Sequence, residues 1–251
     1  MNVNAVVPPR RMARMAGGLY LINIVLGAFA IGIVPLLLLV PDPASTANNI
    51  QTHEFLYRAG LTGHVLVVLT NVPLAVIFYE LFKIVNRRLA LLDAAFILVA
   101  TAIEAAGLVN QFQPLVLLGS GPYASQLPSA QLDALAYLPW QISDADYTIH
   151  TIFFGLDILC MAYLILRSTF LPRALAVLLA IDAFAYLLYS FANLLAPAFA
   201  AQLVPAIQLP ALVGEGALCL WLLIVGVDTD RWNAVRAGAA MAGETRVDAL
   251  A

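Results

Sequence analysis

Five pairs of ionisable or hydrogen-bonding residues recur at a spacing of seven inside otherwise apolar stretches: His64 and Asn71, Glu104 and Gln111, His150 and Asp157, Asp182 and Tyr189, Gln208 and Glu215. Seven residues is almost two α-helical turns, so the members of each pair share one helix face. In the fifth stretch Asp182, Tyr186, Tyr189 and Asn193 extend the stripe at helical spacing. An ionisable side chain inside a bilayer is costly unless it is paired or wetted, which makes it a functional candidate. No Lys or Arg in the apolar stretches neutralises Glu104, Asp157, Asp182 and Glu215. Those carboxyl groups must be protonated, share protons, bind a cation or touch water.

The candidate ligand- or proton-binding set is therefore His64, Asn71, Glu104, Asn110, His150, Asp157, Asp182, Tyr189 and Glu215. Amides such as Asn23, Asn71, Asn110, Gln111 and Gln208 also serve as hydrogen-bonding glue between membrane helices, at about 0.6–2 kcal/mol each. Tyr186 and Tyr189 are read first as packing residues with a satisfied hydroxyl. His64 and His150 are the metal candidates, with Glu104 or Asp157 as a third ligand or general base, or as haem ligands between two helices. No His-Glu-x-x-His run supports that chemistry, so no cofactor is evident. Cys160 and Cys219 both lie in apolar stretches and suggest packing rather than a disulfide framework.

The elements that must position these residues are membrane helices. The chain is 63% hydrophobic and only 11% charged, with mean hydropathy +0.92, whereas a soluble domain carries about 25% charged residues. Apolar runs near 17–40, 60–82, 89–112, 147–166, 172–195 and 206–227 each reach the roughly 20 residues that span hydrocarbon. The expected fold is an all-α polytopic bundle of six spans. Residues 1–16 form an Arg-bearing lead, 17–227 the membrane domain, and 228–251 a small, polar, disordered tail. Ser45 or Thr46 is expected to cap a short helix reaching Tyr57, and Ser129 to cap a second, SAQLDALAYL, lying with Trp140 in the headgroup region.

Six spans put both termini on one side. Eleven of the twelve basic residues fall on that side and only Arg58 on the other, which predicts both termini inside. The preference for Arg over Lys, with abundant Ala and Leu, suggests a bacterial inner membrane. At 1.5 Å per residue, Asn71, Asp157, Asp182 and Glu215 lie roughly 13–16 Å from an end of their spans, near mid-bilayer. His64, Glu104, His150, Tyr189 and Gln208 map to the outer half. In the inner half, Glu80 beside Lys83 and Asp93 beside the Arg turn read as solvated interface groups. These depths predict a polar cavity that opens outward and ends at carboxylates, with Pro73 as a hinge.

Several stretches together resemble the bacterial membrane family catalogued as domain of unknown function 4386. They are RMAGGLYLINIVLGAFA, NRRLALL, IEAAGLVN, FFGLDILCMAYLILRSTFLPRALAVLLAIDAFAYL and VGEGALCLWLLIVGV, covering residues 11–227. The resemblance implies that Glu104 and Glu215 match acidic positions of the family. Asp157 departs from it, because a His is common after the Phe-Phe-Gly-Leu run. The family name implies a fold and no activity.

Three functions remain open from sequence. The first is a binding or carrier role for an amphipathic or cationic small molecule, with a homodimer fitting a chain of only six spans. The second is a structural or regulatory membrane protein whose polar groups specify helix packing. The third is an intramembrane metal-dependent enzyme acting on lipid. The bilayer is the expected partner, and no basic stripe suggests nucleic acid.

Overall fold

The computed structural model describes residues 7–121 and 126–248, with no side-chain description for 240 and 242–248. Every regular element among them is a helix, and six are long and apolar enough to cross a membrane. Large apolar side chains face outward from all six, among them Leu36, Val76, Leu91, Phe184 and Leu212. On a soluble protein such a surface would aggregate; on this one it meets lipid.

The first span, Pro9–Leu38, has three parts. Helix α1 (Pro9–Gly27) starts with proline in its first turn, where a missing N–H costs nothing. A π-helical segment, Ala28–Ile33, follows, and α2 (Val34–Leu38) ends the span. The wide turn is closed by Val34 N–H donating to Phe29 O, immediately before Pro35, which has no N–H to continue the regular ladder.

Helix α3 (Pro43–Thr52) is capped by Asp42, whose Oδ2 accepts from Ser45 N at 2.8 Å. The expected cap at Ser45 or Thr46 is therefore three or four residues too late. Pro43 supplies the start, and Thr46 instead bonds both polar groups of Val40. The helix stops at His53, and α4 (Glu54–Phe82) runs unbroken through Pro73. Helix α5 (Arg87–Asn110) is capped by Asn86, and α6 (Gln113–Leu117) prolongs the span.

Helix α7 (Ser129–Arg167) has 39 residues and corrects the expectation of a separate headgroup helix. Nothing between Ser129 and Tyr147 breaks the helix, because Pro139 is tolerated within it. At 1.5 Å per residue α7 is about 58 Å long, so its first third stands beyond the hydrocarbon core. Trp140 there packs edge-on against Tyr57, with ring centres 6.3 Å apart. Helices α8 (Arg173–Leu195), α9 (Pro197–Leu203) and α10 (Leu209–Ile224) follow.

Helix α11 (Thr229–Asp248) occupies most of the segment expected to be a disordered tail. Two features of its start explain the difference. Asp228 Oδ1 accepts from Arg231 N, and Trp232 is buried with Nε1 donating to Leu81 O at 3.2 Å. Gly226 makes the turn into it at φ +77°, a conformation that disfavours a β-carbon.

The spans form a ring in chain order: α1 packs on α4, α4 on α5, α5 on α7, α7 on α8, α8 on α10, and α10 returns to α1. At the end that carries the termini, cations satisfy helix C-terminal carbonyls. Arg10 Nε donates to Val225 O and Arg14 Nη2 to Ile224 O, where the helix dipole of α10 favours positive charge. This half of the ring is filled by an apolar core that includes Tyr20, Phe78, Phe82, Leu164, Leu179, Leu218 and Leu222. The opposite half is hollow.

Candidate ligand cavity

The hollow half encloses about 810 Å³, lined by the outer parts of the spans and by the extension of α7. Four carboxyl groups line it, Glu104, Asp144, Asp146 and Glu215, and none of its lining residues is Lys or Arg. The remaining wall is mostly apolar and aromatic, with Tyr137, Trp140, Tyr147, Phe154, Tyr186 and Tyr189, set with amides, hydroxyls and the two imidazoles of His64 and His150. That combination of walls with few convergent polar groups is typical of a small-molecule site.

Each glutamate is held by a different set of helices. Glu215 of α10 accepts from Tyr20 OH of α1 at 2.6 Å and from Tyr186 OH of α8 at 2.9 Å. Two phenol donors, one on each oxygen, fix the carboxylate where α1, α8 and α10 meet. No basic side chain bonds to it. Glu104 of α5 contacts His64 Nε2 of α4 at 3.0 Å, and Asn71 Nδ2 approaches its other oxygen at 3.5 Å. Asn71 is itself placed by Asn23 of α1, whose amide donates to Asn71 Oδ1 and Thr70 Oγ1, both at 2.8 Å.

His150 stands between these groups. Its Nδ1 lies 3.0 Å from Ala100 O, and a carbonyl can only accept, so Nδ1 carries the hydrogen. Nε2 has no hydrogen-bond partner among the described residues. The ring stacks on Phe154 at 5.6 Å. Asp146 approaches Gly107 so closely that a β-carbon there would sit 2.6 Å from Oδ2. Glycine at 107 is thus what lets α5 and α7 close around that carboxyl. Trp140 Nε1 is a buried donor with no partner.

Of the residues expected from sequence, His64, Asn71, Glu104, His150, Tyr189 and Glu215 come together around the cavity. Asn110, Asp157 and Asp182 are not among its lining residues. Asp157 is 5% exposed and lies against Asp93 of α5, itself 1% exposed. Asp93 is therefore not the solvated interface group that its nearness to the Arg turn suggested. Glu80 does pair with Lys83, at 2.6 Å and half exposed. Asp182 is wholly buried, and neither of its oxygens has a hydrogen-bond partner among the described residues. The depths of these aspartates follow from the sequence, but their bearing around the helix axis carries them into helix–helix seams.

Sequence reasoning missed Tyr20, Asp144 and Asp146. Asp146 lies four residues before His150 and eleven before Asp157, on the same helical stripe. Placing a helix boundary at residue 147 hid it. His64 and His150 are engaged by Glu104 and Ala100 O respectively. Among the described residues, no three His, Cys, Asp or Glu side chains gather as a metal-ligand group.

A family model matches residues 15–226, and its description is Domain of unknown function (DUF4386). No curated protein matches the chain, and no solved structure does.

Proposed function

Because the chain belongs to the DUF4386 family, whose description assigns no activity, its function has to be read from its own cavity, and we propose a binding or carrier role for an amphipathic small molecule with a cationic head. One observation carries this reading: four carboxyl groups and no Lys or Arg line a cavity of about 810 Å³ with aromatic walls. Carboxylates attract a cation through charge, and aromatic faces attract it through the ring quadrupole, by about 0.5–2 kcal/mol each. Glu215 is the counter-ion, since its hydrogen-bond partners are neutral phenols, whereas Glu104 already faces His64.

We place the protein in a bacterial inner membrane with both termini in the cytoplasm. The Arg10, Arg14 and Arg231 end then faces inward, in keeping with the bias of basic residues, and the cavity opens to the outside.

The test is calorimetric titration of the protein in zwitterionic nanodiscs, with empty discs as the blank. Dodecyltrimethylammonium should bind saturably, and dodecyl sulfate of the same tail length should not. Equal binding of both, or saturable binding of neither, would overturn the proposal.

A further inference from the structure

The first span and α10 meet closely near the inner end. A β-carbon on Gly17 would lie 2.4 Å from the backbone nitrogen of Leu223, and Cys219 Sγ reaches Gly17 O at 3.5 Å. Tyr20 and Glu215 form the last polar link between them. Outward of that link the two helices part. The π-helical segment and α2 pack chiefly on α4 and α3.

Two large apolar residues stand on either side of this gap. Ile31 is 44% exposed and Leu212 69% exposed, and both line the cavity. Gly32 and Gly216 also line it, and a β-carbon on either would meet nothing within 4 Å. Other seams are filled at corresponding depths. Gly60 of α4 abuts Val34, Gly155 of α7 abuts Leu187, and Thr151 bonds to Ser190 across α7 and α8 at 2.7 Å.

We infer that the cavity opens sideways into the membrane between the first span and α10, and that its ligand is a membrane-borne amphiphile whose hydrocarbon tail lies in that slot. This rests on the cationic-head reading above and extends it to the tail and the route of entry. The slot is apolar on both sides, and Glu215 stands at its inner corner. A cation paired with Glu215 therefore has a continuous apolar path for its tail past Ile31 and Leu212 to lipid. A ligand without a tail would leave that path unfilled.

The test compares dodecyltrimethylammonium with tetraethylammonium, a cation without a tail, by the same calorimetry in zwitterionic nanodiscs. Wild type should bind the long-chain cation at least tenfold more tightly than the tailless one. Gly216→Phe should weaken the long-chain cation tenfold or more and leave tetraethylammonium within twofold, because the ring fills the slot and spares the head site. Gly32→Leu enters the slot from the opposite helix and should act likewise. Wild-type affinity for the long-chain cation in both variants would overturn the slot, as would equal loss of both cations in both variants. Equal binding of the two cations by wild type would also overturn it while leaving the head site standing. Binding of neither cation by wild type would instead overturn the cationic-head reading and the slot with it.

Discussion

Replacing Glu215 with Gln isolates the charge on which the proposed ligand site depends. Gln has nearly the shape of Glu and keeps one acceptor oxygen, and a phenol hydroxyl can turn to accept from its amide. Tyr20 at 2.6 Å and Tyr186 at 2.9 Å can therefore stay in place. A cation about 5 Å from the carboxylate at an effective dielectric of about 20 gains roughly 3 kcal/mol. Two hydroxyls already draw on the same charge and the cavity mouth admits water, so about half of that, ~1.5 kcal/mol, is the expected loss. That corresponds to roughly a tenfold rise in Kd. The comparison ligand is dodecyldimethylamine N-oxide, which has the same tail, a similar head and no net charge at neutral pH. Its Kd should change less than about threefold, an allowance of well under 1 kcal/mol for imperfect isostery. Equal weakening of both ligands would mean that the substitution altered shape rather than charge. An unchanged affinity for the cation would remove Glu215 as counter-ion.

Gly17→Ala should lower thermal stability by about 2–3 kcal/mol, because the added β-carbon strikes the Leu223 backbone rather than a movable side chain; thermal unfolding in nanodiscs reads this, and an unchanged midpoint would deny the close crossing. Asp182→Ala should raise stability by about 1 kcal/mol, since it removes a buried carboxyl whose two oxygens have no partner; a lower midpoint in the same assay would mean that Asp182 has a compensating partner. The Asp42 carboxyl is held below its ordinary value of 3.8 by the Ser45 hydroxyl and N–H. A carboxyl depressed in the folded state stabilises it above the unfolded value and loses that contribution as pH falls through the folded one. Amide exchange in α3 should therefore quicken, relative to α4, as pH drops below 3.8, and Asp42→Ala should remove that pH dependence; an identical profile in wild type and variant would refute the cap's role.

The six spans and most of the cavity residues were legible in the sequence because both depend on local periodicity. A seven-residue spacing fixes one face of one helix, and span length fixes depth. That is enough to bring His64, Glu104 and His150 to the outer half and Glu215 near mid-bilayer, where all four line the cavity. It does not say which neighbour a face meets. Asp157 shares a stripe with His150, yet it meets Asp93 across the α5–α7 seam while His150 lines the cavity. Tyr20 was unreadable for the same reason, since its partner Glu215 lies 195 residues away. The start of α11 escaped notice because its order comes from docking Trp232 near the end of α4, a tertiary event in a stretch whose composition reads as tail.

The ring in chain order has a mechanical consequence. Around its circumference each neighbouring pair of spans is consecutive in the chain and tethered by a connecting segment, except α1 and α10, which meet only because the ring closes. Separating any other pair must drag a loop with it. At the closing seam the cost is limited to the contacts made there, chiefly the Arg10 and Arg14 bonds to the end of α10, the packing at Gly17 and Cys219, and the Tyr20–Glu215 bond. Glu215, the counter-ion of the proposed ligand, is therefore also part of the latch of that seam. A cation that drew the carboxylate away from Tyr20 would loosen the latch as it bound.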